Sequence, residues 1–123
     1  MLSEAQAAYA HVATLTTDPD RAGYLLYQRA VRDCDDCRRA IAAQDRGALV
    51  QAVHHAQQIV AALHDNTRQD LPAGRAFRTS HLWVWRRLGQ VARSQDPAAL
   101  DEAQRFLQQM ADQLRARLEA GGS

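Results

Sequence analysis

Apolar positions in this chain recur at spacings of three, four and seven residues, the repeat of one face of a helix. Breaks in that repeat carry recognisable stop and start chemistry. Thr17-Asp18-Pro19 reads as an N-cap followed by proline at the first helical position, and Asp96-Pro97 repeats the device. Asp45-Arg46-Gly47 interrupts a second stretch, with Asp45 as the cap of the next helix. Asp70-Leu71-Pro72-Ala73-Gly74 forms another break, and Gly121-Gly122-Ser123 reads as a loose tail. These marks predict helical segments over 3–13, 18–43, 46–67, 75–94 and 97–119. The first is short. The other four are long and joined by short connections, which favours antiparallel neighbours. The expected fold is all-α: an antiparallel four-helix bundle with an additional short N-terminal helix, residues 1–120 forming a single domain and 121–123 a tail.

Each long segment has a predicted core stripe. It runs through Tyr24, Tyr27, Val31, Cys34 and Ile41 in the second segment, and through Leu49, Val53, Ala56, Val60 and Leu63 in the third. In the fourth it is weaker, through His81, Trp85, Leu88 and Ala92. In the fifth it is cleanest, through Leu100, Ala103, Leu107, Met110, Leu114 and Leu118. Further apolar residues lie off these stripes: Leu25, Leu26, Val50, Ile59, Trp83, Val84 and Phe106. They either widen the core stripe or face the first helix, a second subunit or a ligand.

Composition agrees with a helical domain. The chain has 123 residues, 46% hydrophobic and 24% charged, and Ala, Leu, Gln and Arg dominate. All 15 basic residues are arginine, against 14 acids, so the net charge is only +1. That balance gives nucleic-acid binding no general electrostatic support. No apolar run approaches the ~20 residues of a membrane span, and the N-terminus lacks a basic region followed by an apolar one. The expectation is a cytoplasmic protein without membrane insertion. Across the chain the basic residues are interleaved with acids, which argues against a basic amphipathic helix lying on a bilayer.

Candidate chemistry is sparse. Cys34-Asp35-Asp36-Cys37 is a C-x-x-C, which on a helix brings two thiols near one face. No second C-x-x-C completes a zinc site, and a mid-helix position does not activate a thiolate, so two small core residues in a reducing compartment account for the pair better. His54 and His55 are neighbours about 100° apart on a helix, poor chelation geometry, and read as a solvated face. Arg75 and His81 resemble in spacing the Arg-then-His element of the HEPN-type RNases, a single short element. No Ser/His/Asp set, phosphate-cradling glycine loop or metal-spaced carboxylate cluster occurs. The residues point to a protein-binding bundle rather than an enzyme, with no metal and no cofactor.

A family resemblance sharpens this. Tyr24-Leu25-Leu26-Tyr27-Gln28-Arg29-Ala30-Val31, following Thr17-Asp18-Pro19, resembles the flagellar secretion chaperone (FliS-type) pattern of a Ser/Thr-x-Pro cap and then Leu-x-x-Met-Leu-Tyr-Asp-Gly-Ala. The similarity continues without a gap to Ala40-Ile41 and Asp45. Ala56-Gln57-Gln58-Ile59-Val60-Ala61-Ala62-Leu63 resembles the family's Ala-x-x-Ile-Ile-x-x-Leu. Arg86-Arg87-Leu88, Asp96-Pro97-Ala98-Ala99-Leu100 and Ala8-Tyr9 are similar to further family elements in the same order. Gln28 and Arg29 depart from the family's Asp-Gly, His81 and Trp83 stand where tyrosines are usual, and Gly74 stands where a glycine pair is usual.

The resemblance implies an export chaperone that binds the disordered C-terminal region of flagellin, prevents its premature polymerisation and presents it to the flagellar type III export gate. It implies partner contact at Tyr9 and Val12, acting as a lid over the groove in the free protein, at Leu25, Leu26 and Tyr27, lining or supporting the groove wall, and at Ile59 and Leu63 beside them. Two alternatives stand next to it. One is a dimeric helical-bundle adaptor for another protein. The other is a HEPN-like RNase or zinc-binding bundle.

Overall fold

The computed structural model describes residues 18–65 and 72–121 together with Ala7 and Ala10. Among these residues it contains four helices and no strand: α1 (Pro19–Ala42), α2 (Arg46–Asp65), α3 (Pro72–Ser94) and α4 (Pro97–Gly121). The short helix expected over 3–13 falls outside the described residues apart from Ala7 and Ala10. Helix α3 begins three residues earlier than its segment at 75–94, because Pro72 opens a helix instead of closing a loop. A proline at the first position forfeits an N–H that has no partner there in any case.

Both described connections use the same two-residue device. At the end of α1, Gln44 adopts a left-handed φ of 55°. The Gln44 N–H then donates to the Ile41 carbonyl at 3.1 Å and the Asp45 N–H to the Ala40 carbonyl at 2.9 Å. This is a Schellman closure with glutamine in glycine's usual place. Asp45 at once caps α2, its Oδ1 accepting from the Ala48 N–H at 3.0 Å. Between α3 and α4 Gln95, also at φ 55°, closes the helix by a single bond from its N–H to the Val91 carbonyl at 2.9 Å, and Asp96 Oδ1 accepts from the Ala98 N–H at 2.9 Å. At the other end of the run Asp18 caps α1 by accepting from the Asp20 N–H at 2.9 Å.

The helices form a closed ring in which α1 touches α2 and α4, and α3 touches α2 and α4, while the diagonal pairs do not meet backbone to backbone. The cross-links fix an antiparallel order. Arg117, late in α4, reaches Asp20, early in α1, at 2.8 Å. Arg38, late in α1, reaches Asp101, early in α4, at 2.7 Å. Arg46, early in α2, donates to the carbonyl of Ala92, late in α3, at 3.1 Å.

One continuous core runs through the ring. The third- and fifth-segment stripes fill it as predicted, except that Leu114 and Leu118 are only half-buried. Two stripes shift by one row. In α1 the buried line is Leu26, Tyr27, Ala30, Cys34, Cys37 and Ala40, and the predicted Tyr24, Val31 and Ile41 flank it, half-buried. In α3 the buried line is His81, Val84, Leu88 and Val91, while the predicted Trp85 is exposed and Ala92 half-buried. Adjacent rows on a helix both satisfy a three-and-four spacing, and the facing helices choose between them. Val84 and Val91 pack in the same core as Val60, Leu100, Ala103 and Leu107, and the indole of Trp85 stays outside.

Two mutations check this packing. Leu26 is 1% exposed, so Leu26→Ala should destabilise by about 2–5 kcal/mol in urea denaturation. Gln95→Gly should raise stability by roughly 0.5–1 kcal/mol, since glycine occupies the left-handed region without the Cβ penalty; a lowered Tm would contradict the described turn.

Candidate functional site

The end of the bundle around the start of α1 and the first half of α3 holds a cluster of rings. The Tyr27 hydroxyl lies 2.6 Å from Nε2 of His81. The two rings stack at 5.9 Å, Phe77 stacks on the other side of His81 at 6.4 Å, and Phe106 meets it edge-on at 6.0 Å. His81 is 2% exposed, and its Nδ1 has no hydrogen-bond partner among the described residues. Burial, helped by the neighbouring His64 and Arg78, pulls its pKa down to about 4, so the ring is neutral. Burial also pushes the Tyr27 phenol above its ordinary value. The tautomer with the fewest orphan groups has the Tyr27 O–H donating to Nε2 and the ring proton on Nδ1. Phe77 remains 38% exposed at the rim of this cluster.

Two concavities flank it. Between α2 and α3 lies an apolar groove of about 300 Å³, lined by Val60, Ala61, His64, His81, Leu82 and Trp85. Between α1 and α2 lies a larger cleft of about 720 Å³ with charged walls that include Arg29, Asp36 and Arg39. In that cleft the buried Asp33 carboxylate meets Nδ1 of His55 at 2.7 Å. Burial raises the Asp33 pKa, and the His55 hydrogen bond opposes the rise. His55 therefore departs from the expected solvated face, which holds only for the exposed His54.

The sequence-predicted contact residues divide by burial. Leu26, Tyr27, Ile59 and Leu63 lie in the core and line neither concavity. Leu25 is half-buried against that core. Tyr9 and Val12 lie outside the described residues. Of the remaining off-stripe residues, Val84 is buried, Phe106 is half-buried, and Val50 and Trp83 are exposed. Phe77 and Leu82 are exposed as well and belong to none of the predicted stripes. A search for residues one position off a core stripe finds Leu82, whereas Phe77 lies on the true stripe near the helix end.

Cys34 and Cys37 occupy fully buried core positions. Burial and the adjacent acids push Cys37 up to about 12 and Cys34 further still, so both are protonated thiols. Among the described residues no group of three or more His, Cys, Asp or Glu side chains is placed to hold a metal ion. The Arg75–His81 nuclease alternative needs an accessible imidazole. His81 instead spends its Nε2 on Tyr27 inside the core. Among the described residues no helix is long and apolar enough to cross a membrane.

Comparison with protein families finds a match over residues 1–118 to the family described as flagellar protein FliS. No curated protein matches the chain.

The neutral buried imidazole has a measurable consequence. The unfolded state takes up a proton near pH 6.5 and the folded state only near 4. In that window the unfolded chain binds more protons, so stability falls as pH falls. Between pH 7 and pH 5 the loss from His81 should be about 2 kcal/mol. His81→Gln, which keeps an acceptor for Tyr27 but does not titrate, should remove that share of the slope in urea denaturation at the two pH values.

Proposed function

From a match over residues 1–118, which makes the chain a member of the flagellar protein FliS family, a chaperone family, we propose that it is a cytoplasmic export chaperone for flagellin. It binds the disordered C-terminal segment of flagellin in hydrophobic inter-helix grooves. It thereby prevents premature polymerisation and aids delivery to the flagellar type III export apparatus. The family match is the observation that carries this reading.

Physical chemistry supports it. A polymerisation segment is amphipathic, and its apolar face self-associates unless covered. The bundle leaves Phe77 exposed and Leu25 half-buried against the core, apolar surface open to such a segment. The partner segment loses conformational entropy when it wraps the bundle, which holds the affinity at a level compatible with release. In this proposal Tyr9 and Val12 cover the groove until flagellin arrives. Leu25 contributes to the wall, and Leu26, Tyr27, Ile59 and Leu63 hold the wall helices in place. Phe77, stacked on His81 and still open to solvent, extends the contact surface beyond those residues.

Size-exclusion chromatography with mass measurement tests the proposal. The chain and flagellin should elute as a one-to-one complex, and flagellin lacking its C-terminal segment should elute alone. A stable homodimer of the chain that takes up no flagellin would favour the adaptor alternative and refute the proposal.

A further inference from the structure

The charge balance of the whole chain conceals a local excess. Helix α3 carries five arginines, at 75, 78, 86, 87 and 93, and no aspartate or glutamate. The interleaving of basic and acidic residues expected of the whole chain therefore fails on this helix. Three of the arginines are engaged, Arg75 among them. Arg78 donates to the His64 carbonyl at 2.7 Å, and Arg87 pairs with Glu102 at 3.0 Å while lying over the Trp83 ring at 5.5 Å. Arg86 and Arg93 have no hydrogen-bond or ion-pair partner among the described residues. Arg93 folds over Gly89, where an added Cβ would meet its Nη1 at 3.1 Å. This brings the guanidinium close to Gln57 on the α2 side of the seam.

On a helix, positions 82, 86 and 93 fall on one stripe, with 85 beside it. Leu82 and Trp85 form one wall of the apolar α2–α3 groove and are 41% and 43% exposed. Trp83, 40% exposed, stands with Arg86 and Arg93 around a second hollow on the outer side of α3. Half-exposed tryptophans beside unpaired guanidinium groups are the composition of an interface centre, not of an ordinary solvated face.

We propose that the outward face of α3 is a second docking surface, shaped for an acidic amphipathic helix of a partner protein. The apolar side chains of that helix enter the groove between Leu82, Trp85, Val60 and Ala61, and its carboxylates meet Arg86 and Arg93. Charge complementarity selects this occupant. The groove is concave, so its floor at Val60 and Ala61 is reached by inserted side chains and not by a bilayer surface. Two free guanidiniums release too few counterions to hold a nucleic acid. The surface is separate from the contacts proposed for flagellin at Leu25 and Phe77, and it does not depend on that reading.

The two tryptophans of the chain flank this face, Trp85 at the groove and Trp83 at the hollow beside Arg86 and Arg93, so their emission reports its occupancy. The probe is a synthetic amphipathic helix with leucines along one stripe and glutamates beside it, titrated into the full chain. Saturable binding that weakens as salt rises is expected. Its glutamine analogue, and the double variant Arg86→Glu/Arg93→Glu, should each bind at least about tenfold more weakly, while the variant keeps the wild-type Tm. Equal binding of the two peptides, or of the two proteins, would overturn the proposal. So would a response to phosphatidylglycerol vesicles or single-stranded RNA with none to the peptide, or quenching that follows protein concentration alone, which would put a second copy on the face. Loss of the flagellin complex in the double variant would merge this face with the flagellin site and overturn its separateness. Failure of the wild-type chain to bind flagellin, with peptide binding intact, would remove the proposed function and leave this one standing.

Discussion

A single hydrogen bond, from the Tyr27 hydroxyl to Nε2 of His81, ties together two helices of the ring that have no backbone contact with each other. It crosses the interior from α1 to α3. The two rings it joins stack, and Phe106 of α4 closes on them edge-on. Apolar packing alone tolerates sliding of one helix along its neighbour, because one methyl group can replace another in a groove. A buried polar pair has one register in which both partners are satisfied, and any slip leaves an orphan group at a cost of roughly 1–3 kcal/mol. The pair therefore sets the axial position of α3, and with it the height at which Phe77, Leu82 and Trp85 reach the surface.

The same pair limits what the site can do. An imidazole held neutral, with one nitrogen committed to a phenol and its pKa pulled to about 4, has neither the accessibility nor the basicity of a general base at neutral pH. The thiols of Cys34 and Cys37, pushed the other way by the same burial, have no nucleophilic form to offer. Burial thus removes the chemistry of the two elements that read as reactive in the sequence.

The legible parts of this molecule were those set by local chemistry. Caps at Asp18, Asp45 and Asp96 and the prolines after two of them give the starts of α1, α2 and α4 to within a residue. The α2 stripe from Leu49 to Leu63 is buried throughout, with Ile59 and Ala62 beside it in the interior as well. Where two rows compete, as with Val84 against Trp85 or Leu26 against Tyr24, periodicity is silent, and the volume available inside the ring decides. The Asp33–His55 contact joins helices 22 residues apart in the chain, and no spacing rule reaches that far. The arginine excess of α3 was present in the sequence but vanished in a net charge of +1. Counting charge segment by segment brings it out.

Small residues line the helix contacts of the core, and the two tryptophans lie outside it. Ala30, Ala56, Ala99, Ala103 and Ala111 are fully buried at helix contacts, and Gly23 lies against Leu114 so closely that a Cβ there would meet Cδ1 at 3.0 Å. Small residues at contacts let helices approach toward the short end of the ~8–10 Å range, which narrows the interior. A narrow interior holds valines, leucines and one imidazole–phenol pair. Trp83 and Trp85 lie outward on α3, and Phe77 emerges at the bundle end. Widening the core to bury those rings would need the alanine contacts to open, at the expense of the close packing that stabilises the ring. Alanines keep the helix contacts close inside, and the largest rings, Trp83 and Trp85, are left at the surface.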